Sequence, residues 1–227
     1  MWKRVYENSR KDIHREELDY IMLSLFSKKI NVLIIGGGNA AFIKAKTFLN
    51  NGCNVYIVAK EIKEDFFSLE YKNLNLIEGE YDKSFLTKKH IVVIAIDDDR
   101  IISEITYDCE ALDKLYINCK RPKEGVCILP MNIKTNETTI GINTLRGNPK
   151  ASRMMGNYIL NEAKHWDNFI KVTSIIRNNV KDIKEKKKEV LDFIISDDFK
   201  YFASKGKEEL TLKLFYEENL VNKLFKD

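Results

Sequence analysis

Gly36-Gly37-Gly38, followed by Asn39, Ala40 and Ala41, is the stretch of this chain best suited to holding phosphate. Gly36 allows a tight turn, Gly38 lets the backbone approach a pyrophosphate, and Ala41 is small enough for a following helix to pack close to the preceding strand. Free N–H groups and the positive end of the dipole at a helix start attract anions. Gly36, Gly38, Asn39 and Ala40 are therefore candidate contacts for the phosphates of a dinucleotide. A second pair, Lys60-Glu61, follows the next apolar run, where such a site meets the adenosine ribose. An acid there bonds ribose hydroxyls and a base accommodates a 2′-phosphate. The chain offers both, and we expect NAD ahead of NADP. The third group is Asp97-Asp98-Asp99, after another apolar run. Carboxylates there face a ligand or cap the next helix. Both readings stay open, with Asp97 and Asp98 as candidate catalytic acids and bases and Asp97 also as a cofactor contact.

The elements that must position these groups follow from hydropathy. Val32–Ile35 is an apolar run that reads as a buried parallel strand. Ala41, Phe42, Ala45, Phe48 and Leu49 share one helical face, with Lys44, Lys46 and Asn50 off it. Asn50-Asn51-Gly52 stops that helix, and Asn54–Ala59 is the next strand. Strand, glycine turn, helix and strand in this order form a βαβ unit, the context that gives a glycine fingerprint its meaning. Residues 60–67 read as a short helix or loop, 75–80 as a short strand, 81–87 as one or two helical turns, 91–96 as a buried strand, 100–110 as a helix and 115–119 as a further strand. Lys120–Lys123 is a basic loop. Cys127–Pro130 and Thr138–Asn143 are strand-like pieces joined by a turn. After Pro149 the pattern is helical, with Met154, Met155, Tyr158, Ile159 and Ala163 on one apolar face. Leu191–Phe199 and Leu210–Phe225 are expected to complete this helical tail. Such a tail reads as too thin for a large core of its own, so it should pack on the sheet or on a second copy. Residues 1–28 fit a covering helix or a leading edge strand.

The 227 residues carry 44% hydrophobic and 32% charged side chains, the balance of a globular protein. The net charge of +4, with both signs mixed along the chain, argues against nucleic acid and slightly favours an anionic ligand. No apolar run approaches the roughly 20 residues that span a bilayer, and the first residues lack a signal-peptide core. No membrane association and a cytoplasmic location are expected. Cys53, Cys109, Cys119 and Cys127 lack CxxC spacing and read as structural thiols. His14, His90 and His165 have no metal-ligand spacing, so no metal site is expected.

The order of these motifs resembles the bifunctional precorrin-2 dehydrogenase and sirohydrochlorin ferrochelatase family, the N-terminal module of siroheme synthase. Its GGG-x-x-A-x-x-K pattern is similar to Gly36 through Lys44. Its Gly-x-x-Val-x-Val-Val-Ala run resembles Gly52–Ala59. Its Glu-Gly-x-Tyr segment looks like Glu78-Gly79-Glu80-Tyr81, and its Ala-x-Asp-Asp segment like Ala95–Asp98. The resemblance extends from about residue 20 through the helical tail. It implies NAD-dependent dehydrogenation of precorrin-2 to sirohydrochlorin, with iron insertion a lesser expectation, in a homodimer with a helical dimerisation region. It also implies a tetrapyrrole rich in carboxylates, for which Lys120, Thr144 and Arg146, with Arg121, Lys123 and Arg153, are candidate partners.

Two departures lie on the substrate side. Family members carry an aspartate two residues before the proline of the strand-end loop, where this chain has Lys120. The family's Gly-Gly stretch is here Thr144-Leu145-Arg146-Gly147. A non-catalytic NAD- or tetrapyrrole-binding scaffold or regulator is therefore the alternative. The expected architecture is α/β: a Rossmann-type parallel sheet with an N-terminal extension over 1–115, a small strand-containing dimerisation and substrate-cleft region over 116–149, and a helical C-terminal domain over 150–227.

Overall fold

The computed structural model of the chain describes residues 20–183 and 185–226. Five strands, β1 (Asn31–Ile35), β2 (Asn54–Ala59), β3 (Leu74–Glu78), β4 (Ile91–Ile94) and β5 (Leu115–Asn118), form a parallel sheet in the order β3-β2-β1-β4-β5. Helix α1 (Asn39–Asn50) joins β1 to β2, and α2 (Asp99–Ala111) joins β4 to β5. The strand order turns back between β1 and β4, so their carboxyl ends open the crevice in which α/β sheets bind ligands.

The apolar runs are continuous because both sheet faces are covered. Val32, Ile34, Val55 and Ile57 pack with Ala41, Ala45, Phe48 and Leu49 of α1. Leu33, Ile35, Val92 and Ile94 point the other way and pack with Ile102, Ile105 and Cys109 of α2. Each fully buried Leu, Ile or Val stabilises the fold by roughly 1.5–3 kcal/mol. β4 ends two residues before the expected Ile96. The expected turns over 60–67 and 81–87 are short 3-10 segments, Glu64–Phe66 and Lys83–Leu86.

The chain divides into two compact units, one over Met22–Leu129 and the other holding Pro130–Asp227. Against the limits expected at 115 and 149, the division falls after Leu129. β5 is hydrogen-bonded into the large sheet, and Val126 and Cys127 donate N–H groups to the Tyr116 carbonyl at 3.0 and 3.2 Å. That contact also corrects the strand expected over Cys127–Pro130, which runs in no sheet. The strand lies further on: β6 (Met131–Lys134) pairs antiparallel with β7 (Thr139–Ile142).

Helix α3 (Pro149–Lys164) buries Ser152 and Gly156, not the expected methionine and tyrosine face. A Cβ on Gly156 would lie 3.1 Å from Met131 Cε and 3.3 Å from Ile133 Cγ2. Small residues thus let the helix lie close on β6, while Met154 and Tyr158 are exposed in this chain.

The tail is also more self-sufficient than its composition suggests. Helices α4 (Asp167–Asn179), α5 (Lys187–Ile194), α6 (Asp197–Ala203), α7 (Glu208–Phe215) and α8 (Glu218–Leu224) enclose a core of Val172, Ile176, Val190, Ile194, Phe199 and Leu212. The helical stretches expected over 191–199 and 210–225 are each interrupted. Ser196 caps α6 by accepting from the Phe199 N–H at 3.2 Å, and Tyr216 is extended at φ −131°. These breaks turn short apolar faces toward one another, which gives the tail a core of its own.

Residues 20–26 form neither the helix nor the strand expected over 1–28; a 3-10 turn over Ser27–Lys29 leads into β1. The rest of that expectation, and His14, lie outside the described residues. Among the described residues no helix is long and apolar enough to cross a membrane.

Candidate active site

A cleft of about 610 Å³ opens at the carboxyl ends of β1, β2, β3 and β4, all within the sheet unit. It brings together five residues expected from the sequence: Gly36, Lys60, Glu61, Asp97 and Asp98. Its volume is within the range of small-molecule sites.

The glycine turn is built by backbone packing. Gly36 has φ +119°, and a Cβ there would lie 2.2 Å from the Ala95 carbonyl oxygen. Gly37, which the sequence reading did not single out, is as restricted: its Cβ would lie 2.1 Å from the Glu61 carbonyl oxygen. Lys63 donates its N–H to the Gly37 carbonyl at 3.1 Å. Gly36 and Gly37 are thus fixed by the chain's own carbonyls. Gly38 has open space where its Cβ would be.

Gly38 is also the N-cap of α1, and no side chain caps this helix. Gly38, Asn39 and Ala40 are exposed at its start. Asn39 Oδ1 accepts instead from Lys63 Nζ at 2.9 Å. The first N–H groups of a helix have no partner within it, so this end suits a phosphate. The residues present fit a dinucleotide: a glycine turn, an uncapped 12-residue helix and a cleft at the strand-order reversal.

Asp97, Asp98 and Asp99 differ in role. Asp98 is the N-cap of α2, and its Oδ1 accepts from the N–H groups of Arg100 and Ile101 at 2.9 and 3.1 Å. Asp97 lines the cleft, and its backbone carbonyl accepts from Lys120 Nζ at 2.7 Å. Asp99 accepts from the same Lys120 Nζ at 2.8 Å and from Arg121. The Lys120 ammonium, with Arg121 adding to it, holds the Asp99 carboxyl below the usual carboxylate range. Lys120 therefore fastens the acidic turn after β4 to the end of β5. The local cause is Asn118, buried at 1% exposure, whose Oδ1 accepts from the N–H groups of Lys120 and Arg121 at 3.0 and 2.9 Å.

Thr144 and Arg146 belong to the other unit, where Thr144 Oγ1 accepts from the Asn148 N–H at 2.6 Å. Lys120, in the sheet unit, is not among the residues that line its cleft.

Sequence reasoning missed one group on the cleft wall. Tyr81 lines the cleft, and its hydroxyl donates to Asp108 Oδ2 at 3.0 Å. Asp108, only 7% exposed, also accepts from Lys83 at 2.8 Å. Burial, then the Asp108 carboxylate, pushes the Tyr81 phenol well above its usual range, so it is a fixed hydrogen-bond donor. A signal was available: Asp108 continues the apolar face of Ile101 and Ile105, an unusual place for an acid.

Residues 22–131 match a family model described as "Putative NAD(P)-binding". The siroheme synthase of Saccharophagus degradans is 28% identical over 171 residues, which are 74% of this chain and 37% of that protein. The siroheme synthase of a Psychrobacter species is 31% identical over 133 residues, 57% of this chain and 27% of that protein. The chain thus spans about a third of the length of these curated relatives. Among solved structures, "SirC, precorrin-2 dehydrogenase" superposes with a TM-score of 0.67 over 86% of this chain and 100% of that one. At 18% identity this is a likeness of fold.

Proposed function

We propose that this chain is a divergent member of the family that holds precorrin-2 dehydrogenases and the N-terminal modules of siroheme synthases, and that it dehydrogenates precorrin-2 to sirohydrochlorin with NAD. The observation that carries the reading is the open start of α1, uncapped at Gly38, which directly follows the cleft-lining Gly36 and Gly37; Asp97 lines the same cleft. In this reaction the substrate loses a hydride and a proton. Bound NAD supplies the hydride acceptor. The chain's own residues do the rest. The N–H groups of Gly38, Asn39 and Ala40 hold the pyrophosphate, and Lys60 and Glu61 flank the adenosine ribose. Asp97 receives the proton, held in place through its carbonyl by Lys120. Asp98 is the weaker candidate for that step, because its Oδ1 is engaged by two helix N–H groups.

Lys120 meets a substrate carboxylate from the sheet unit, and Thr144 and Arg146 are the candidates within the other unit. Lys120 then exchanges Asp99 for the substrate. Iron insertion stays outside the proposal, because Lys120 stands where the family places its aspartate. We further propose a cytoplasmic homodimer. The apolar hollow of about 330 Å³ lined by Tyr158, Ile159, Trp166 and Ile170 within the second unit supports a second copy as its cover.

Incubating the purified protein with precorrin-2 and NAD tests the reading. Sirohydrochlorin absorbance should rise with enzyme concentration. NAD bound without turnover would overturn the dehydrogenase and favour the non-catalytic alternative, to which the replaced aspartate and the lost glycine pair also point.

A further inference from the structure

In dinucleotide folds the residue that reads the adenosine ribose usually stands at the end of β2. Here that place is held by Lys60, which directly follows Ala59, the last residue of β2. Glu61 also lines the cleft, and its carbonyl oxygen packs against Gly37. The acid paired with Lys60 comes from the loop after the neighbouring strand. β3 ends at Glu78, and Gly79 donates its N–H to the Ala59 carbonyl at 2.9 Å, which draws the following loop against the end of β2. Glu80 then pairs with Lys60, Oε1 to Nζ at 2.8 Å. Both residues line the cleft, and their side chains are 66% and 76% exposed for Lys60 and Glu80, so a ligand can reach either.

We propose that the Lys60–Glu80 pair sets the choice between NAD and NADP, with Glu80 as the discriminating residue. The inference rests on the dinucleotide reading given above. Lys60 alone, at the end of β2, would welcome a 2′-phosphate. Glu80 reverses that: it occupies the ammonium and offers a carboxylate to a 2′-hydroxyl donor. A 2′-phosphate would have to displace Glu80 from Lys60 and then sit beside it. The rest of the cleft adds to the repulsion, since Glu61, Asp97, Asp98 and Glu104 also line it, against Arg100. The discriminating acid has thus moved from β2 to the loop after β3. The β2 position carries the opposite charge.

The test is calorimetric titration of the full chain with NAD and with NADP, for the wild type, Glu80→Gln, Lys60→Met and the double variant. The wild type should bind NAD at least about tenfold more tightly than NADP, a difference of about 1.4 kcal/mol. Glu80→Gln should tighten NADP by about tenfold and move NAD less than about threefold, the scale of one charge pair at a solvent-exposed site. The double variant should return NADP to near its wild-type affinity, because the freed ammonium is gone. Both side chains are exposed, and unchanged melting temperatures would verify folding. An unchanged NAD-to-NADP ratio in Glu80→Gln, or a wild type that prefers NADP, overturns the inference and leaves the dinucleotide site standing. A folded wild type that binds neither dinucleotide overturns both.

Discussion

Two helices start at the same edge of the same sheet and end their first turns differently. α1 follows β1 through three glycines and begins at Gly38 with no side chain on its free N–H groups. α2 follows β4 through three aspartates, and Asp98 caps it with two hydrogen bonds. β1 and β4 are neighbours, so the two starts flank the point where the strand order reverses. One is closed by the chain's own carboxylate and the other carries no side-chain cap. A side-chain cap is worth about 1 kcal/mol. α4, α5, α7 and α8 also start without one, so what sets α1 apart is its place behind the glycine turn at the strand-order reversal.

Substitutions that exchange the characters of the two starts would break or sharpen this contrast. The largest effect should come from Gly37→Ala. A Cβ 2.1 Å from the Glu61 carbonyl oxygen forces the turn apart, and we expect a loss of at least about 3 kcal/mol in chemical denaturation. Gly38→Asp should do the reverse. The site has room and an extended backbone at φ −88°, so folding should be kept. A carboxylate at the phosphate position should weaken NAD by roughly thirtyfold, about 2 kcal/mol, in titration calorimetry. Asp98→Ala removes the cap of α2 and should cost about 1 kcal/mol of stability.

Lys120→Met should have the smallest effect, and one that depends on pH. The Asp99 carboxyl is held below its ordinary range by Lys120 and Arg121. Its contribution is therefore present above the unfolded carboxylate value of about 3.9 and is lost as pH falls through the lower folded value. The melting temperature of Lys120→Met should lie below that of the wild type at pH 7, and the gap should close in acid. A gap that persists in acid would assign the effect of Lys120 to its bond with the Asp97 carbonyl.

The sheet unit was legible because β1, β2 and β4 are buried on both faces and read as apolar runs rich in β-branched residues. Asn54–Ala59 was found to the residue, and α1 began two residues before the apolar face that announced it. Of the two-stranded sheet, β7 was found within Thr138–Asn143, but β6 was misplaced because only Ile133 is buried in Met131–Lys134, whereas the more apolar Cys127–Leu129 packs against β5 without pairing. In the tail, helix content was clear and the breaks were not. Ser196 and Tyr216 stop helices through a cap and an extended backbone that the apolar spacing does not reveal. In the cleft, glycines and acids announced themselves by type. Gly37 did not, because what it accommodates is a carbonyl 24 residues away in the chain. The partnership of Tyr81 with Asp108 was hidden in the same way, by a contact between distant residues.

The most direct test of the account is a paired assay of NADH and sirohydrochlorin, formed from precorrin-2 and NAD by the wild type and by Gly38→Asp at subsaturating NAD. The account predicts that the two products appear in equal amounts with the wild type, and that both rates fall at least about tenfold in the folded variant. Equal rates in the two proteins would contradict the assignment of the α1 start as the cofactor's seat, and no NADH from the wild type would contradict the dehydrogenase itself.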